Sequence, residues 1–62
     1  MIYKINELYG EAWIDAVYKV MTKLNDVFGT DYFLARDKYM IEKIAYDMNL
    51  RFNEKGELVK ER

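Results

Sequence analysis

From Glu7 to Phe28 the apolar residues Trp13, Val17, Val20, Leu24, Val27 and Phe28 recur at three- and four-residue steps, the repeat of an α-helix and not of a strand. Set at 100° per residue, these six fall within an arc of roughly 100°, widened by Ile14 and Met21 on one side and Tyr9 on the other. Glu7, Glu11, Asp15, Lys19, Thr22, Lys23, Asn25 and Asp26 take the opposite side. The spacing predicts a first helix over residues 6–28, with Asn6 as its cap and Gly29 in the left-handed turn that ends it. Gly10 inside a helix costs about 1 kcal/mol, which keeps Glu11 open as a second starting point.

Thr30 offers the cap of a second helix over residues 30–49, with Asn49 as its left-handed terminal residue and Leu50 folding back against it. Two helices joined by a Gly-Thr turn are antiparallel neighbours. The expected fold is therefore mainly α, an antiparallel helical hairpin. Phe33, Leu34, Met40, Ile41, Ile44, Ala45 and Met48 share an arc of about 140° that would face the first helix. Asp37 lies in the middle of this arc, where an ionised carboxylate is costly to bury. Either Asp37 sits at the open rim of the hairpin or the helix starts there with Asp37 as its cap; the tyrosine spacing described below favours the continuous helix. Trp13, Val17, Val20, Leu24, Ile41, Ile44 and Met48 form the expected core.

The ends read as extended. Ile2, Tyr3 and Ile5 suit a short strand, and Leu50-Arg51-Phe52 and Glu57-Leu58-Val59 flank Asn53-Glu54-Lys55-Gly56, a loop with glycine at the left-handed position. Residues 50–62 are thus either a small β-hairpin, completed by short terminal strands, or a frayed solvated tail. The alternative architecture is a small α+β domain of winged helix-turn-helix type. With 62 residues, residues 1–62 make a single small domain.

The alphabet limits the chemistry. There is no Cys, His, Pro, Ser or Gln. That removes disulfides, thiolate nucleophiles, thiolate or imidazole metal ligands and a base that titrates near neutrality. Thr22, Thr30, the tyrosines and the lysines remain as nucleophiles, with no His to activate them. Gly10, Gly29 and Gly56 are too widely spaced for a phosphate-binding loop. The expectation is a protein that is not an enzyme, with no catalytic residue, no cofactor and no metal. Ten Lys and Arg against eleven Asp and Glu give no field that would steer the chain to a polyanion, so nucleic acid is not the favoured partner. No uncharged run approaches the ~18 residues of a membrane span, and the N-terminal residues lack the plan of a signal peptide. The location expected is cytoplasmic.

The most specific pattern is a ridge on the second helix. Tyr32, Arg36, Tyr39, Lys43 and Tyr46 follow one another at steps of four, three, four and three, which places all five on one stripe about 80° wide, opposite the apolar arc. Tyrosine gives a large contact area with a polar tip, and Tyr and Arg are favoured anchors of binding surfaces. These five are the candidate partner-binding residues, facing a protein target, or a second copy of the chain in a homodimer. The acidic stripe of Glu7, Glu11, Asp15, Thr22 and Asp26 is interrupted by Lys19 and Lys23 and reads as a solvated face. The functional expectation is a small regulator or inhibitor that docks this aromatic and charged surface on a larger macromolecule. The alternative is a DNA-binding regulator of helix-turn-helix type, with Gly29 in the turn and residues 32–48 as the recognition helix.

Overall fold

The computed structural model describes residues 1–59. It is mainly helical, with two α-helices and little strand. Helix α1 spans Gly10–Phe28 and helix α2 Lys38–Asp47, each preceded by a 3-10 turn, Ile5–Glu7 and Ala35–Asp37.

Helix α1 starts later than the expected residue 6. Asn6 lies inside the first 3-10 turn. That turn is closed by a reciprocal pair: the Lys4 N–H donates to Glu7 Oε1 at 2.7 Å and the Glu7 N–H to the Lys4 carbonyl at 2.9 Å. Leu8 and Tyr9 then run extended, and Gly10 opens α1 at φ +64°. The far end follows its local signals. Gly29 is left-handed, its N–H donates to the Asp26 carbonyl at 3.2 Å, and the Thr30 N–H reaches Asn25 at 2.9 Å. These two bonds satisfy carbonyls that a helix end leaves orphaned.

The second helix is where expectation and structure differ most. It begins at Lys38 and not at Thr30, and Asp37 is its N-cap residue. The cause lies on α1. The Asn25 side chain accepts the Phe33 N–H at Oδ1 and donates from Nδ2 to the Phe33 carbonyl, both at 3.0 Å. A backbone so engaged is not free to take helical partners. Thr30 acts locally as well, its hydroxyl accepting the Tyr32 N–H at 3.2 Å, and Leu34 is extended at φ −119°. Phe33 and Leu34 accordingly belong to the connection between the helices and not to the apolar arc of α2. The end of α2 follows its signals: Asn49 has φ 60°, and the Asn49 and Leu50 amides donate back to Tyr46 and Ala45 at 3.0 and 3.1 Å.

The segment after α2 packs across the termini. Phe52 exchanges two backbone hydrogen bonds with Tyr3, at 2.7 and 2.8 Å, and forms an antiparallel bridge with Leu58 as well. These are isolated bridges. The loop between them is organised by Asn53, whose Oδ1 accepts the amides of Lys55 and Glu57 at 2.9 and 3.0 Å, competing with any regular ladder. Residues 50–59 are therefore held against the helices and are not a frayed tail; residues 60–62 of that expectation lie outside the described residues. Gly56, at φ +82°, lies buried on α1, where a Cβ would overlap the Ala12 carbonyl oxygen and stand 3.2 Å from the Ala16 amide.

The core consists of Ile5, Ala16, Val17, Val20, Leu24, Ile41, Ala45 and Phe52. Of the residues expected there, Val17, Val20, Leu24 and Ile41 are buried, and Trp13 and Ile44 pack at its margin. Met48, the C-cap of α2, whose amide still donates to the Ile44 carbonyl, is half exposed at the end of the helix. Val27 and Phe28 also face outward. With ten residues against nineteen, α2 is about 15 Å long and cannot cover the ~28 Å of α1. Ile5 and Phe52, from outside both helices, complete the cover.

Candidate interaction surface

The later start of α2 divides the five ridge residues. Tyr39, Lys43 and Tyr46 share one side of α2. Arg36 lies in the second 3-10 turn, and Tyr32 in the non-helical connection before it. The stripe predicted from spacing is therefore not one helical face. Tyr32 instead meets Phe33 edge to face, with ring centroids 5.2 Å apart, and Phe28 lies 6.2 Å from the same Phe33 ring. This second aromatic group caps the uncovered end of α1.

The α2 part of the ridge is built from three segments of the chain. The Tyr39 ring leans on Trp13 of α1 at 5.7 Å and 39°. The Trp13 indole N–H donates to Glu42 Oε2 at 3.1 Å, so one indole fixes both the approach of the helices and the position of Tyr39. At the other end, the Lys4 ammonium stands 5.0 Å from the Tyr46 ring centroid, within cation–π range. Beside this contact Asn6, Glu42, Lys43 and Tyr46 line a depression of about 240 Å³. Lys43 and Asp47 form an ion pair at 3.8 Å that is well exposed and therefore worth little.

Despite these contacts the surface stays open. Tyr39 is 75% and Tyr46 45% exposed. Trp13, Glu42 and Lys4 are parts of this surface that spacing did not single out. Trp13 carried a periodic core signal, while Lys4 and Tyr46 meet through the fold and share no local pattern. The acidic stripe is divided too, since Glu7 belongs to the 3-10 turn before α1. Among the described residues no three acidic side chains group so as to hold a metal ion, and no helix is long and apolar enough to cross a membrane.

Compared with family models, curated proteins and solved structures, the chain matches none of them.

Proposed function

We infer that the protein is a non-enzymatic interaction module that docks the outer face of α2 on a larger protein partner and thereby regulates it. The observation that carries this reading is the open pair Tyr39 and Tyr46 on one side of α2, held by Trp13 and Lys4, with Tyr46 lining a depression shared with Glu42 and Lys43. A tyrosine already fixed against a neighbour loses little rotamer freedom when a partner covers it, so its contact area converts to affinity at low entropic cost. Glu42 and Lys43 add opposite charges beside the depression, which suits a partner segment that pairs with both. The same reading takes the chain as a homodimer in solution, because a chain of this size buries only about 60% of its unfolded surface and gains most from association.

The test uses the full chain, tagged at one end and recovered from its own host under native conditions, beside the double variant Tyr39→Ala/Lys43→Ala. Both positions are exposed, so the variant keeps the fold, as circular dichroism will verify. The expected result is a partner retained by the wild type and lost by the variant; equal retention excludes this face. Native mass measurement of the free chain reads the dimer directly.

A further inference from the structure

A second concave site lies beside the first turn of α1 and shares no residue with the α2 surface. Tyr3, Glu7, Leu8, Tyr9, Ala12 and Glu54 line a pocket of about 250 Å³. Its walls come from three places that the fold fixes separately. Tyr3 is held by its backbone exchange with Phe52, Glu7 and Leu8 by the closed 3-10 turn, and Glu54 by the Asn53 loop seated on Ala12 through Gly56.

We propose that this pocket binds an alkylammonium head group, a nitrogen cation carrying methyl or methylene carbons. Two phenol rings, Leu8 and Ala12 supply apolar and π surface, and Glu54 and Glu7, one of whose oxygens also accepts the Lys4 N–H, supply two carboxylates with no cationic side chain among the lining residues. Lys4, adjacent to this segment, directs its ammonium to Tyr46 instead. The carboxylates repel an anion. A hard metal ion prefers several charged oxygens gathered at close range, and among the described residues no three acidic side chains group to supply them; one Glu7 oxygen is already engaged by the Lys4 N–H. An organic cation is the class that gains from both the ring faces and the carboxylates at once. The N-terminus of α1 opposes it with about half a positive charge, less than the two full negative charges. The volume lies below the roughly 300–1,000 Å³ of drug-sized sites, which fits a head group better than a whole metabolite.

The source of the cation is either a free amine or a methylated lysine side chain, and the test separates them. The isotope-labelled full chain is titrated with choline chloride, with sodium chloride at equal ionic strength, and with 3,3-dimethyl-1-butanol, the uncharged isostere of choline. Amide shifts at Leu8, Tyr9, Ala12 and Glu54 are expected to saturate in the millimolar range with choline and with neither control. Tyr9 is 85% exposed, so Tyr9→Ala leaves the core intact, and the same spectra report its fold. That variant and Glu54→Gln are each expected to weaken binding about fivefold or more, while Tyr9→Phe, which keeps the ring, binds as the wild type does. A peptide bearing one trimethyllysine identifies a protein side chain as the source if it saturates at lower concentration than choline, and a free amine if it does not. Absence of saturable shifts with choline, an equal response to the isostere, or wild-type binding by Tyr9→Ala overturns the proposal.

Discussion

Gly56 and Gly10 both have positive φ, yet they differ in what surrounds them. A side chain at Gly10 meets nothing within 4 Å, whereas at Gly56 it runs into the backbone of α1. Gly10→Ala is therefore expected to cost about 1–2 kcal/mol, the left-handed penalty alone. Gly56→Ala adds a backbone collision and should cost more than about 3 kcal/mol. Urea unfolding of the two variants measures the difference; equal midpoints would show that the loop does not sit on Ala12 as described. Both Gly29 and Asn49 were legible in the sequence, because the end of a helix is signalled within a few residues of itself. The left-handed loop position of Gly56 was legible for the same reason. Its close approach to Ala12 was not, since the two are brought together only by the whole fold.

The start of α2 shows how one side chain overrides a period. The tyrosine steps fit a helix from residue 30 onward, but the Asn25 amide pairs with both backbone groups of Phe33 and keeps that stretch out of the helix. In the sequence Asn25 belongs to the polar face of α1, and nothing local to it points eight residues ahead. Removing it is expected to release the connection: Asn25→Ala should cost about 1–2 kcal/mol and speed amide exchange at residues 30–34 far more than within α1. Exchange that rises evenly through the protein would contradict this role. The Trp13 and Glu42 pair is a second link between elements. Glu42→Ala should shift the Trp13 fluorescence and cost about 0.5–1.5 kcal/mol, whereas Glu42→Gln, which keeps an acceptor, should cost less. Lys43→Ala, which removes an exposed ion pair, should change stability by about 0.5 kcal/mol or less. The candidate surface was legible where the period is real, at Tyr39, Lys43 and Tyr46. It was illegible at Trp13 and Lys4, whose roles depend on how α1 and the N-terminal turn approach α2.

For the molecule as a whole, the helical class followed from periodicity, and the central place of Phe52 did not. A phenylalanine in a short extended segment carries no local mark of being fully buried. It lies under both terminal segments, paired with Tyr3 on one side and Leu58 on the other. A chain of this size has about 3–9 kcal/mol of stability in all, and Phe→Ala in a core costs about 3–5 kcal/mol. Phe52→Ala is thus expected to leave much of the population unfolded at 25 °C, seen as loss of helical circular dichroism, although it alters neither helix directly. Helicity retained in full would mean that α1 and α2 suffice without this clasp. The pairing of Tyr3 with Phe52 also sets an order of events during synthesis. On a ribosome, Ile5 and α1 are made before Phe52 and Gly56, so the part of the apolar side of α1 that α2 does not cover stays open until those residues follow. A growing chain halted after α2 would present that uncovered part to chaperones and proteases, so docking of residues 50–56 is the step that closes the fold.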